Sequence, residues 1–296
     1  FAFLVLPTII FFSALSSILY YFGILQRVVY GFAWLMNRTL RLSGAESLAA
    51  AINVFIGQTE APLVIKPYLA RMSRSEMLCL MTGGMATIAG SVFGAYMSML
   101  GAGDEAQMLY FGMHLLTASI VSAPAAILAA KMLVPETETV DQNMEVPPSE
   151  AGQNFLDALA RGTTDGLKLA VNVGAMLLAF MALVYLANIM LTQLGQVAGL
   201  NHWLSETSNG RYQEFNLQFI LGILFSPLAW VIGVEWGDVI AVGQLLGEKT
   251  ILNEFVAYLS LADMKNSHVL SDQSVLLATY ALCGFSNFAS IGIQIG

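Results

Sequence analysis

The chain of 296 residues is 57% hydrophobic and 11% charged, with a mean hydropathy of +0.70 and a formal net charge of −8. Soluble domains are about a quarter charged, so the composition excludes an ordinary water-soluble globule. With 12 Lys+Arg against 20 Asp+Glu, it also excludes the basic footprint of a nucleic-acid-binding protein.

The chain opens in an apolar run, Phe1–Ile24, and residues 1–24 are read as a transmembrane scaffold helix. No charged region precedes this run, so no signal peptide is expected. Both ends look cut, because the chain starts inside an apolar run and stops at Gly296 with no polar tail. Leu25–Arg41 follows, with Val28, Val29, Phe32, Leu35 and Met36 interleaved with Arg27, Asn37 and Arg38, the pattern of a helix lying in the membrane interface.

Ala45–Ile56 and Ala61–Tyr68 are apolar pieces joined by Gly57-Gln58-Thr59-Glu60. Each is shorter than the roughly 20 residues needed to cross a bilayer. They read as a re-entrant hairpin whose tip lies at membrane depth, which is tolerated where the backbone is packed in protein or lines a cavity. Met77–Leu100 then crosses, broken at Thr87-Ile88-Ala89-Gly90-Ser91, and Tyr110–Leu133 returns; residues 25–134 thus form the first repeat.

Residues 135–168 are a polar linker and a second interfacial helix over Phe155–Leu167, and residues 169–195 hold the span Leu169–Leu194. Residues 196–214 form a polar loop. Residues 215–296 repeat the earlier device: apolar Leu217–Val234, the tip Glu235-Trp236-Gly237-Asp238, a second half through Leu261, and a helix broken at Gly284-Phe285-Ser286-Asn287-Phe288-Ala289-Ser290.

Three spans separate the two hairpins, and an odd number makes the repeats inverted. The fold class is therefore an all-α membrane protein with inverted repeats, two re-entrant helical hairpins and two discontinuous transmembrane helices. Arg27, Arg38, Arg41, Lys66, Arg71 and Arg74 flank the first hairpin, with Lys131, Arg161 and Lys168 at the other connection on that side. The positive-inside rule opens that hairpin from the cytoplasm.

Glu60 and Glu235 each place a carboxylate at a hairpin tip, where burial at membrane depth is costly and marks function. The plainer reading is that each caps its turn. For Asp238, capping the second half of its hairpin is the stronger reading. Gln58, Thr59, Asn287 and Ser290 add amides and hydroxyls, with no Lys or Arg at either tip. Such a site repels anions and suits a neutral, hydroxyl-rich substrate, because a carboxylate accepts from vicinal hydroxyls. Phe285 offers an apolar face or is a core aromatic.

Asn53, one turn before the first tip, and Thr87, with carbonyls near Ile56 and Ile88, suit a hard cation such as sodium. His114 is a lone packing histidine, and Cys79 and Cys283 are buried free thiols. No Ser/His/Asp set, phosphate loop or Cys/His metal spacing is present, so no enzyme activity is expected.

Four motifs in order, Gly57-Gln58-Thr59-Glu60-Ala61-Pro62-Leu63, Ala86-Thr87-Ile88-Ala89-Gly90-Ser91-Val92, Gly233-Val234-Glu235-Trp236 and Gly284-Phe285-Ser286-Asn287-Phe288-Ala289-Ser290, resemble the concentrative nucleoside transporters over the whole chain. The resemblance implies a nucleoside symporter of the cytoplasmic (inner) membrane, a homotrimer working by an elevator mechanism. Gln58 and Thr59 would face the nucleobase, with Glu60 direct or through water and Val92 packed beside it. Glu235, Asn287 and Ser290 would hold the ribose, with Phe285 in contact. Asn53, Thr87 and the carbonyls of Ile56 and Ile88 would bind sodium.

Relative to bacterial members of that family, the chain lacks the early helices and the last one. Proton-coupled members differ at the first two motifs, which favours sodium; a proton-coupled nucleoside carrier is the alternative. An intramembrane hydrolase would also keep paired acids in lipid, but it would need an activated nucleophile.

Overall fold

The computed structural model describes residues 5–40, 42–55, 57–58, 68–138, 141, 154–207, 213–288 and 290–291, and among them every regular element is a helix. The chain divides into two compact units, residues 1–171 with 283–296, and residues 172–282.

In the first unit, α1 (Val5–Tyr21) and α2 (Ile24–Leu40) meet at a bend of 79°. α2 buries Val29, Ala33 and Met36, spaced at i, i+4 and i+7, against α3 (Gly44–Phe55), and leaves Arg27 and Arg38 exposed. α4 (Arg74–Ala86) follows, then α5 (Gly90–Gly101) and α6 (Glu105–Leu133). The sequence places one interrupted helix over Met77–Leu100, and the structure interrupts it at Thr87–Ala89, where Thr87 and Ala89 are extended (ψ 164° and 138°).

α3 and α4 both begin with a capping box. Ser43 and Glu46 exchange side-chain and backbone bonds at 3.1 and 3.2 Å, and Ser73 and Glu76 do so at 3.1 and 2.7 Å. These two helix starts are held beside the end of α6. Lys131 pairs with Glu46 and, at 3.3 Å, with Glu136. Ser73 donates to Glu136 at 2.7 Å, and Ser75 donates to the Val134 carbonyl at 2.7 Å. The chain that leaves α3 thus returns to its starting end before α4 begins.

Burial alone would raise the Glu136 carboxyl. Bonds from Ser73, the Glu138 N–H and Lys131 outweigh it and hold the carboxyl below its ordinary value. A depressed acid stabilises above its unfolded pKa, so this clamp is intact at neutral pH and loosens only as pH falls through the lowered value.

α7 (Phe155–Val197) is one helix of 43 residues, continuous across the join where the sequence suggests two pieces at Phe155–Leu167 and Leu169–Leu194. Gly162 and Gly166 do not break it. They lie against α1, where a Cβ on Gly162 would sit 2.5 Å from Ser17 and one on Gly166 2.8 Å from Ile10. At about 1.5 Å per residue it is roughly 65 Å long, about twice a bilayer core. α6 and α7 are each long and apolar enough to cross a membrane.

The second unit holds the rest of α7 with α8 (Leu200–Thr207), α9 (Leu217–Val231), α10 (Val239–Ile251), α11 (Glu254–Asn266) and α12 (Asp272–Leu282). Asn188 accepts from Leu217 N–H at 2.9 Å, and Asn201 accepts from Phe215 N–H at 2.9 Å, which fixes the entry to α9. α9 and α10 pack antiparallel, with Gly222 against Ile240 and Gly247 against Leu221. The piece expected to run through Leu261 is two helices, because Asn253 accepts from Val256 N–H at 3.0 Å and starts α11 afresh.

Backbone contact is closest at Gly243, where a Cβ would lie 2.4 Å from the Gly222 carbonyl oxygen. Neither backbone can yield without separating the helices. Gly243→Ala should therefore destabilise the fold by about 1–3 kcal/mol, read as a lower melting temperature of the purified protein in detergent, whereas Gly237→Ala, which meets nothing within 4 Å, should leave it unchanged.

Candidate functional site

Asn53 lies in the last turn of α3, 1% exposed, and among the described residues neither its Oδ1 nor its Nδ2 has a hydrogen-bond partner. An amide buried without partners costs about 1–3 kcal/mol, so its persistence points to a ligand. Gly83 of α4 leaves it room, since a Cβ there would be 3.5 Å from Nδ2. The Gly83 carbonyl takes the Thr87 hydroxyl at 3.0 Å, which keeps the lone pairs of Thr87 Oγ1 for another partner.

The break after Ala86 also frees the last carbonyls of α4 from helical bonding. Gly90, at the start of α5, lies against the end of α3: a Cβ on it would sit 2.5 Å from the Phe55 carbonyl oxygen. Thr87 and Ile88 are 1% and 3% exposed. This corner offers amide, hydroxyl and carbonyl oxygens without a carboxylate, a donor set for a hard cation of low charge. Among the described residues no group of three or more His, Cys, Asp or Glu could hold a metal ion. Ile56 lies outside the described residues.

A second interruption of the chain reaches the first. α12 ends at Leu282 and helix resumes at Phe288. Gly284, between them, has φ +99°, and a Cβ on it would sit 2.6 Å from the Ala86 carbonyl oxygen and 2.7 Å from that of Met85. The Asn287 side chain accepts from Ser290 N–H at 2.8 Å and so caps the resumed turn. Gln58 Nε2 donates to Ser290 Oγ at 3.1 Å, and all three of these side chains are buried. Val92 is buried and Phe285 half-buried. The first unit holds Asn53, Gln58, Thr87, Ile88, Val92, Phe285, Asn287 and Ser290, and among these it joins Gln58 to Ser290 and Ser290 to Asn287; Thr59 and Glu60 lie outside the described residues.

Glu235 belongs to the second unit, exposed in the turn between α9 and α10, where its carbonyl accepts from Asp238 N–H at 2.8 Å. Asp238 stands at the start of α10 but makes no capping bond with its side chain. Its Oδ2 instead accepts from Ser271 N–H at 3.0 Å, which ties the turn to the start of α12. His114 packs against Tyr110, ring centroids 4.5 Å apart, and both cysteines are buried free thiols, as the sequence indicates.

Sequence reasoning used Lys131 only to orient the chain, not as the residue that joins Glu46 to Glu136, and it passed over the buried Glu248, Lys249 and Glu254. The signal for the latter three was three charges within the apolar stretch Val239–Leu261.

The family model described as Na+ dependent nucleoside transporter C-terminus matches residues 114–296, and one described as nucleoside recognition matches residues 2–103. An uncharacterized transporter of Haemophilus influenzae is 43% identical over all of this chain, which covers 67% of that relative. Sodium/nucleoside cotransporter 1 of Rattus norvegicus is 40% identical, and the chain covers 45% of it. The solved structure of CNTnw in an inward-facing substrate-bound state is 40% identical with a TM-score of 0.86, and the chain covers 65% of it. The chain belongs to the Na+-dependent nucleoside transporter family, a family of transporters and not of enzymes, and spans less than half the length of the rat relative.

Gly284 tests whether the two interruptions depend on each other. Alanine there meets both a positive φ and the α4 carbonyls, so Gly284→Ala should cost about 1–3 kcal/mol and lower the melting temperature of the purified protein.

Proposed function

We propose that the protein is a secondary active symporter that couples inward sodium movement to nucleoside uptake across the cytoplasmic (inner) membrane. The observation that carries this reading is Asn53, an amide buried beside Thr87 with no protein partner. Family membership supplies the substrate class, and the rat relative's name pairs sodium with nucleoside.

On this reading sodium is cargo, bound by Asn53 Oδ1, Thr87 Oγ1 and the carbonyls of Ile56 and Ile88. Its site shares Gly83, the break and the end of α3 with the segment that carries Gln58. Filling it would therefore fix the break against which Gly284 rests, and with it the Asn287–Ser290 turn. Gln58 and Thr59 would face the base, with Glu60 nearby and Val92 packed beside it. Asn287, Ser290 and Glu235 would hold the ribose, with Phe285 against it.

Both hairpins are re-entrant on this proposal, and the first opens from the cytoplasm, where Lys131, Arg71 and Arg74 cluster with its base. Substrate-loaded parts move as an elevator against a scaffold. The exposed apolar side chains of α6 and α7, among them Leu128, Met132 and Leu178, fit lipid and the neighbouring copies of a homotrimer.

Replacing sodium with choline at constant pH should abolish concentrative uptake into liposomes, and Asn53→Ala should raise the sodium concentration for half-maximal uptake while leaving base preference intact. Uptake that survives choline and follows an imposed proton gradient would establish the proton-coupled alternative instead.

Hydrogen bonds to a charged group are worth about 1.5–3 kcal/mol, so Glu235→Gln should weaken uridine binding by roughly one to two orders of magnitude. The loss should shrink for 2′-deoxyuridine and 3′-deoxyuridine, which lack one of the hydroxyls. Equal losses for all three in a double-mutant cycle would assign Glu235 to the turn rather than to the sugar.

A further inference from the structure

Glu248 of α10 is an acid that the transport reading leaves unused. It is 3% exposed. Gln244 Nε2 donates to its Oε1 at 2.8 Å, the Ser260 hydroxyl of α11 bonds the same carboxyl, and Oε2 is buried with no donor in bonding geometry.

Among the described residues, no cation pairs with Glu248. α9 carries no ionisable side chain at all. α11 contributes Glu254, Tyr258, Asp263 and Lys265, and α12 contributes Asp272 and Tyr280. Tyr258 gives its hydroxyl to the Thr279 carbonyl at 2.9 Å, and Lys249, next to Glu248 in α10, gives its Nζ to the Ala281 carbonyl at 3.0 Å. None of them forms an ion pair with Glu248.

A carboxylate buried without a counter-ion is expensive enough that such groups take up a proton instead. Sodium is the weaker fit, because one carboxylate, one amide and one hydroxyl are too few oxygens to replace the shell of a hard cation. A carboxylic acid matches the geometry. Its carbonyl oxygen Oε1 accepts from Gln244, and its hydroxyl oxygen Oε2 needs no donor because it carries its own hydrogen.

We propose that Glu248 is a proton-binding site of the α10–α11 pair, filled from water by formation of an Oε2–H bond, and that its occupancy holds α10 on α11. The proton is resident, so it adds no proton to the transport cycle at neutral pH. When the site empties, a bare carboxylate faces α11 with two neutral partners, and the α10–α11 seam must admit water.

The test is made on the full-length transporter in liposomes. Difference infrared spectroscopy should show a protonated-carboxyl band at pH 7 that is absent in Glu248→Gln and displaced in Ser260→Ala. This readout does not depend on the substrate or the coupling ion, so it stands or falls apart from the sodium experiment. Wild-type uptake should fall at alkaline pH, by up to about tenfold per pH unit once the carboxyl ionises. Glu248→Gln, which keeps the size and neutrality of the acid, should retain uptake and lose that decline. A wild-type spectrum without the band at pH 7, or an alkaline decline unchanged in Glu248→Gln, overturns the proposal.

Discussion

Where the carbonyl end of α4 meets Gly284, two chain interruptions far apart in sequence share one contact, and the remainder of the first unit is arranged around it. A helix that stops inside a protein leaves carbonyls with no bonding partner of their own. Burying them is costly unless something polar fills the gap. At this contact the chain supplies backbone without a side chain. The carbonyl oxygens of Met85 and Ala86 approach so closely that a Cβ on Gly284 would lie within 2.7 Å of either. From that point the chain turns through Asn287, caps itself on Ser290, and takes a bond from Gln58.

The opposite end of the same helices is built differently. Glu46, Lys131, Glu136, Ser73 and Ser75 join the starts of α3 and α4 to the end of α6 through charge-assisted bonds. That end is crosslinked by side chains, while the end carrying Gln58 and the two breaks is held by glycine contacts and single hydrogen bonds. A structure tied at its base and lightly held at its breaks can admit a ligand at the breaks without unfolding the base. The clamp also accounts for a basic residue deep in the end of α6: Lys131 answers Glu46, which would otherwise be buried alone.

Much of this was legible in the sequence, for identifiable reasons. The break at Thr87–Ala89 and the one after Leu282 announce themselves because small and polar residues interrupt apolar runs. Likewise, Gly-rich, polar tips between short apolar pieces mark where α9 gives way to α10. Continuity across residues 167–169 was not legible, because the amphipathic stretch Phe155–Leu167 reads as an interfacial helix separate from the apolar span; Gly162 and Gly166 within it serve close packing on α1. The restart at Asn253 was missed because an N-cap inside an apolar stretch leaves hydropathy almost unchanged. Asp238 looked like a cap by position, yet it reaches Ser271, a bond set by tertiary approach that no local pattern encodes. For the site, residue types at the tips were readable, whereas the pairing of Gln58 with Ser290 spans 232 positions and needs the fold.

Two of the buried polar groups, Asn53 and Glu248, differ in a way that chemistry makes consequential. Asn53 and Glu248 are both almost wholly buried, and each has a side-chain oxygen that no group among the described residues satisfies. An amide cannot relieve its burial by titrating, so the cost stays until something with positive charge and a taste for oxygen arrives. A carboxyl can relieve it at once by taking a proton from water. The same physical debt therefore selects different occupants. On the proposed function, Asn53 is a ligand of the cargo ion, beside the helix break at Thr87–Ala89. On the proposal made for it, Glu248 is neutralised by a proton at neutral pH, within helices that pack on glycine.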